Sequence, residues 1–507
     1  MSRRLRILAT ILLLLFAVIV AQAANIQFFR ASALNASVNN PRNLNPSGNF
    51  PRGEILAANG QVLAYSVKQN NPYYPYRRVY PDGSLTSGVV GFSSPYYGVW
   101  GLEEEYNGFL AAHQQPPQSF EQLLAPTSAA DSVTLTLVPA LQQVARTAMK
   151  GIDGAAVAID PKTGAVLVMY SNPNYNPVPL TSPNSVVAKA AWDLDLKRDS
   201  NGFQPLGLVA TEQTFPPGST FKVITTAAAA VSKPADMTKT FTPNRRGGRC
   251  TTLPNTHLQL CNSGFTPCGG DVAQMLPPSC DPGYALLGID LGADYMYKAA
   301  TSFGYDANPP LDLPGTVASY FPTAASFAND IPGLGYSSIG QQNVRASALQ
   351  DALVAAGVGN GGVIMTPHLM SYITAPDGKI LERYKDSVWK TPLTAAQAAQ
   401  IVPLMENVVK AANGTAYGVG FPAAFDVAAK TGTAQSGNAK KQTDDWLIAF
   451  APATDPTIAI AVVVPYQPTA NFGATVAGPI VKCLVEGFFG MEAGKNPSVA
   501  ATGCEPR

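Results

Sequence analysis

Apolar and polar positions alternate on different scales along the 507 residues. Near the start, Ile7 to Ala21 is apolar except for Thr10, and the 23 residues between Arg6 and Arg30 carry no charge. As a helix rising ~1.5 Å per residue, that run would reach about 35 Å, enough to cross a bilayer. Arg3, Arg4 and Arg6 precede it, so the positive-inside rule leaves residues 1–6 as a short cytoplasmic tail and exports the body of the chain. A cleaved signal peptide ending at Ala21-Gln22-Ala23 is the alternative; the uncharged stretch reaching Phe29 favours an uncleaved anchor over residues 7–29. Either way the body is expected on the extracytoplasmic face of the cell membrane, held by a single pass.

Beyond the anchor, residues 31–113 carry short apolar runs between Asn, Pro, Tyr and Gly, a pattern of loops and small β elements that reads as a pedestal. Residues 114–130 hold three prolines and little periodicity, and read as a linker. Val133 to Leu137 then alternates like a strand, and Pro139 opens a helix running to Lys150. Two β-like runs, Ala155–Ile159 and Ala165–Tyr170, flank Asp160-Pro161-Lys162-Thr163-Gly164, which has the chemistry of a hairpin turn. A long helical and loop-rich stretch fills residues 213–417. Strand signals return at Val427–Ala434, Trp446–Ala451 and Thr457–Val464, and Ala477–Phe489 reads as a closing helix. Strands early and late with helices between them predict one antiparallel sheet assembled from both ends of the body, with an inserted helical subdomain.

Composition narrows the chemistry. The 34 Lys and Arg nearly balance the 33 Asp and Glu, so nothing in the bulk charge draws the chain to nucleic acid. Only three histidines occur, His113, His257 and His368, without the paired spacing of a metal site, so no metal or other cofactor is expected. Lysine then becomes the candidate base for an activated nucleophile in this chain. Six cysteines in an oxidising compartment allow 15 pairings. The expectation is one bridge among Cys250, Cys261 and Cys268, a second from Cys483 to Cys504, and Cys280 as a buried thiol.

Ser219-Thr220-Phe221-Lys222 follows Phe215-Pro216-Pro217-Gly218 and opens the apolar run Val223–Val231. The Pro-Pro-Gly turn predicts a buried helix beginning at Ser219, with Ser219 and Lys222 one turn apart on one face, so the amine can reach the hydroxyl. The serine N–H, among the unpaired donors of a helix start, offers half of an oxyanion hole. A second S-x-x-K, Ser387–Lys390, lies in a charged stretch and reads as surface. Likewise Lys162-Thr163-Gly164 is a turn, whereas Lys430-Thr431-Gly432-Thr433 continues a strand and is free for function. Between them, Ser279-Cys280-Asp281 is a third polar element, 60 residues after Ser219 and about 150 before Lys430.

That trio, in that order, resembles the class B penicillin-binding proteins, most closely their shorter actinobacterial type. Further matches are Pro51–Leu56, Gly101-Leu102-Glu103, Asp160–Gly164, Ser338-Ile339-Gly340-Gln341 and Trp446–Pro452. The resemblance implies an α/β penicillin-binding, serine β-lactamase-like transpeptidase fold, with a five-stranded antiparallel sheet flanked by helices plus an all-helical subdomain. Residues 30–131 would form a pedestal or dimerisation-type domain with linker, and residues 132–507 the transpeptidase. It implies a serine D,D-transpeptidase acting on peptidoglycan stem peptides ending in D-Ala-D-Ala and inhibited by β-lactams. Ser219 would be the nucleophile, Lys222 its base, Ser279 a proton relay and Lys430 a neighbouring cation. The N–H groups of Ser219 and Thr433 would form the oxyanion hole, with Lys430, Thr431, Gly432 and Thr433 receiving the substrate carboxylate.

Asp281 departs from that family's usual Asn. A carboxylate only accepts hydrogen bonds, and beside Lys222 it favours the protonated amine. A D,D-carboxypeptidase with the same site and a non-catalytic β-lactam-binding sensor or scaffold are the alternatives. A class A β-lactamase is disfavoured by the anchor and pedestal. A polymerase domain has no room in residues 31–113, so the resemblance implies a separate glycosyltransferase of the SEDS type.

Overall fold

The computed structural model describes residues 13–16, 22, 50–114, 128–254, 256–438, 440–495 and 504. The expected tail (1–6), most of the expected anchor (7–29) and most of the linker (114–130) lie outside the described residues.

The main strands are β1 (Ile55–Leu56), β2 (Val62–Lys68), β3 (Tyr76–Val79), β4 (Ser132–Leu135), β5 (Gly154–Ile159), β6 (Val166–Asn172), β7 (Met370–Thr374), β8 (Ile380–Arg383), β9 (Ala428–Gln435), β10 (Thr443–Ala451) and β11 (Ile458–Gln467). The main helices are α1 (Pro139–Ala148), α2 (Lys222–Ser232), α3 (Asp281–Leu291), α4 (Ala293–Ser302), α5 (Ala348–Gly359), α6 (Ala395–Lys410) and α7 (Gly473–Glu492).

Two sheets organise the chain. A six-stranded sheet of order β8-β7-β4-β1-β2-β3 joins the N-terminal region to residues 370–383, with β1 and β4 parallel and the other neighbours antiparallel. Beneath it, Glu103 receives Arg52 Nε at 2.9 Å, Arg78 Nε at 2.5 Å and the Tyr80 hydroxyl at 3.0 Å. All four side chains are buried. Burial raises a carboxyl, but the two guanidinium groups outweigh it and hold Glu103 below its ordinary value.

The second sheet has the order β6-β5-β11-β10-β9 and is antiparallel throughout, built from the early and late strands the sequence pattern marks out. Every residue of β5 and β10 is buried, as expected of strands covered on both faces. α1 and α7 pack together on this sheet, and α5 packs on β5, β10 and β11. Among the described residues α7 alone is long and apolar enough to span a bilayer, but here it is a core helix of the sheet. α2 packs with α3, α4 and α6 to form the helical subdomain. The sheet ends in β9, and its free edge faces that subdomain.

The duplicated motifs separate cleanly. Lys162 is exposed in the β5–β6 turn and pairs with Asp455 at 2.6 Å. Ser387–Lys390 overlaps a short strand, Val388–Lys390, paired with Ile364–Met365. Burial lowers the pKa of His368, which stacks on Tyr384, a structural role.

The cysteines correct one expectation. Cys250–Cys261 and Cys483–Cys504 are bridged, but Cys280 is bonded to Cys268 and is not a free thiol. Residues 263–270 fold back against the start of α3 and bring the two Cα atoms to 5.6 Å, a contact between segments that local patterning does not encode.

Candidate active site

The turn that carries Ser219 is fixed from three sides. Gly218 adopts φ 55°, open to glycine, and a Cβ there would stand 3.0 Å from the Thr433 carbonyl. A Cβ on Gly432 would stand 2.6 Å from the Pro217 carbonyl, so this small residue of β9 lets the edge strand press against the turn. Gly218 N–H donates to Gly340 O at 2.9 Å, and the Trp446 indole donates to Pro216 O at 2.8 Å. The predicted helix starts differently: residues 218–221 form a 3₁₀ turn and the α-helix begins at Lys222. Ser219 is half-buried within that first turn, where N–H groups have no partner in the helix.

Lys222 and Lys430 are both fully buried and converge on one hydroxyl. Lys222 Nζ lies 3.0 Å from Ser279 Oγ, 2.8 Å from Ser279 O and 2.7 Å from Asp281 Oδ1. Lys430 Nζ lies 2.9 Å from Ser279 Oγ and 2.9 Å from Thr431 O. Ser279 itself has φ 56°, a conformation rare for a residue with a Cβ and a known form of strain at functional sites.

The expected direct bond between Ser219 and Lys222 is absent. Ser219 Oγ instead donates to Asp281 Oδ1 at 3.5 Å, and the Lys222 ammonium spends its donors on Ser279 and Asp281. The carboxylate outcompetes a neutral hydroxyl for the ammonium, as charge-assisted bonds do. Burial lowers the Lys222 pKa against the pull of Asp281. Burial and then the Lys222 charge push Lys430 well below its ordinary value. Lys430 has no carboxylate within hydrogen-bond reach, so its charge is the less compensated of the two.

Asp281 begins α3, and its environment consists of donors. Oδ1 accepts from Lys222 and Ser219, while Oδ2 accepts from Ser263 N–H at 3.1 Å; Asp281 N–H in turn donates to Asn262 Oδ1 at 2.9 Å. An Asn in this rotamer could not place its amide nitrogen at the Oδ2 position, against the Ser263 N–H, and would have to turn it toward the Ser219 hydroxyl, which can accept.

Ser219, Ser279, Asp281, Thr415, Thr431 and Thr433 line one open groove. Thr431 Oγ1 shares a hydrogen bond of 2.6 Å with Thr415 Oγ1, and Thr433 Oγ1 accepts from Gly473 N–H at 3.0 Å, with the Asp445 carboxyl on its other side. Gly432 contributes close approach and no side chain. Asn262, Ser263 and Thr415 had no sequence signal, because each reaches the site through a loop.

The match to the penicillin binding protein transpeptidase domain covers residues 154–486, about two thirds of the chain and the whole of this site. The chain belongs to the penicillin-binding protein transpeptidases. Residues 52–132 of this transpeptidase also match the penicillin binding protein A dimerisation domain. It is 34% identical over 503 residues to the peptidoglycan D,D-transpeptidase PbpA of Mycolicibacterium smegmatis, covering 96% of this chain and 98% of that one. The PbpA of Mycobacterium tuberculosis is 32% identical over 509 residues, covering 96% and 99%. The solved structure of penicillin-binding protein A from M. tuberculosis as a penicillin G acyl-enzyme complex superposes with a TM-score of 0.75 at 32% identity, over 86% of this transpeptidase and 99% of that chain.

Proposed function

We propose that this chain is a monofunctional serine D,D-transpeptidase that cross-links peptidoglycan stem peptides through an acyl-enzyme on Ser219 and is blocked covalently by penicillin. The observation that carries the reading is the convergence of two buried amines on the Ser279 hydroxyl beside Ser219. At rest the proton sits on Lys222, opposite Asp281. Lys222 passes it to Ser279 Oγ while the Ser279 hydroxyl hydrogen moves to the Lys430 amine, leaving Lys222 neutral and Lys430 charged. Substrate binding at Thr431 and Thr433 favours that exchange, because the incoming carboxylate stabilises a cation at Lys430.

Neutral Lys222 then takes the Ser219 proton as Oγ forms its bond to the penultimate D-Ala carbonyl, and the N–H groups of Ser219 and Thr433 receive the oxyanion. Collapse breaks the peptide bond, and the proton returns through Ser279 to the nitrogen of the departing D-Ala. An amine of a second stem repeats the sequence in reverse and forms the cross-link.

An uncleaved anchor at residues 7–29, a pedestal over residues 30–131 and a transpeptidase over 132–507 belong to the same proposal, supported by the uncharged N-terminal run. So does dependence on a separate SEDS-type glycosyltransferase, supported by the short span of residues 31–113.

Turnover of a D-Ala-D-Ala stem analogue with and without an added D-amino acid tests the reading. Incorporation of the amino acid into product is expected. Release of D-Ala by water alone would make the chain a carboxypeptidase, and no turnover would make it a sensor.

A further inference from the structure

One buried carboxyl near the nucleophile takes no part in the acyl transfer. Asp351, in the first turn of α5, is 2% exposed, and its Oδ2 lies 2.7 Å from Oγ1 of Thr220, the residue after Ser219. No ion pair reaches it among the described residues; Tyr305, also buried, is the titratable group that faces it.

Thr220 Oγ1 also lies 3.0 Å from the carbonyl oxygen of Pro217, at the other end of the turn that carries Ser219. A hydroxyl has one hydrogen to give. If Asp351 were a carboxylate, that hydrogen would go to it, and the Pro217 oxygen would face a hydroxyl lone pair and keep only the long bond from Thr220 N–H at 3.4 Å. If Asp351 carries a proton, the carboxyl donates to Thr220, Thr220 donates to Pro217, and the second carboxyl oxygen is open to the Tyr305 hydroxyl. The Asp351 and Thr220 hydrogens then each have an acceptor, as buried polar groups require.

We propose that Asp351 works as a neutral hydrogen-bond donor to Thr220 and is a positioning residue that holds the Pro217–Ser219 turn in register for attack. The inference rests on the reading of Ser219 as nucleophile. Burial raises the Asp351 pKa to about 7, so the lock is closed in mild acid and opens as pH rises through neutrality. The same sign holds for stability. The folded-state value lies above the unfolded one, so the contribution is complete below pH ~4 and is lost as pH rises through about 7.

The experiment is the second-order rate of acylation by a fluorescent penicillin from pH 5.5 to 8.5, for the full chain, Asp351→Asn and Asp351→Leu. Asn donates and accepts without titrating, so the ratio of its rate to wild type should rise with pH by about tenfold, the scale of a small misplacement of a reacting group. Asp351→Leu, lacking the donor, should be slower than Asp351→Asn at every pH. A ratio for Asp351→Asn that stays flat across the range overturns the proposal, and that variant decides the matter alone if Asp351→Leu does not fold. Penicillin labelling of Ser219→Ala would sink the functional reading instead; labelled Ser219 with a flat ratio defeats only the role of Asp351.

Discussion

Two buried clusters in this molecule have the same formal make-up, two cations and one carboxylate, and differ in what their cations can do. Under the six-stranded sheet, Arg52 and Arg78 grip Glu103. In the groove, Lys222 and Lys430 surround Ser279, with Asp281 as the carboxylate. A guanidinium stays charged at any accessible pH, so the first cluster is held in one state, and Tyr80 and Asn107 add hydrogen bonds to it. An amine deprived of water gives up its proton more readily, so under the proposed function the second cluster moves protons between its members. Burial alone does not make a reactive site; burial of a group that can change its charge does.

The largest expected effect comes from making the groove resemble the arginine cluster. Lys222→Arg keeps a cation beside Asp281 but removes the base, and should lower acylation by a β-lactam by about 10³-fold, within the usual span for general bases. A loss under tenfold, with thermal melting unchanged, would mean that another group takes the Ser219 proton.

The reciprocal change is Glu103→Gln, which strands two buried guanidinium groups. It should cost roughly 3–5 kcal/mol, read as a lower denaturation midpoint, while the folded fraction is acylated at the wild-type rate. Equal losses of stability and of rate per folded molecule would show that the two clusters are coupled.

A subtler test is Asp281→Asn. Asp281 raises the Lys222 pKa, so its removal should move the acidic limb of the acylation profile to lower pH. A move to higher pH would contradict the resting charge assigned to Lys222. The smallest effect belongs to the exposed pair Lys162–Asp455, with side chains 45% and 78% exposed. Lys162→Ala should change stability by no more than ~0.5 kcal/mol in a urea melt.

Much of this was legible in the sequence where chemistry is local. Ser219 and Lys222 sit one turn apart because the Pro-Pro-Gly turn and the apolar run after it dictate a buried helix start. The periodicity of residues 155–170 and 427–464 marks out the five-stranded sheet, and the exposed K-T-G at residues 162–164 is recognisable from its turn chemistry. Contacts between segments were not legible. Cys280 finds Cys268 only because residues 263–270 fold back, and the same fold brings Ser263 N–H to Asp281. Asp351 lies 131 positions from Thr220, and nothing in the helical pattern of α5 distinguishes a carboxyl aimed at the Ser219 turn from one aimed at water. The direct Ser219–Lys222 bond failed as an expectation for a related reason: spacing fixes reach, whereas the choice of partner depended on a carboxylate delivered by another helix.

The central claim is that Ser219 forms a covalent acyl-enzyme. Intact-protein mass spectrometry after incubation with penicillin G tests it most directly. The account predicts one adduct of the full mass of the antibiotic on the wild-type chain, located on the Ser219 peptide, and none on Ser219→Ala. An adduct of equal yield on Ser219→Ala, or an unmodified wild-type chain, would contradict it.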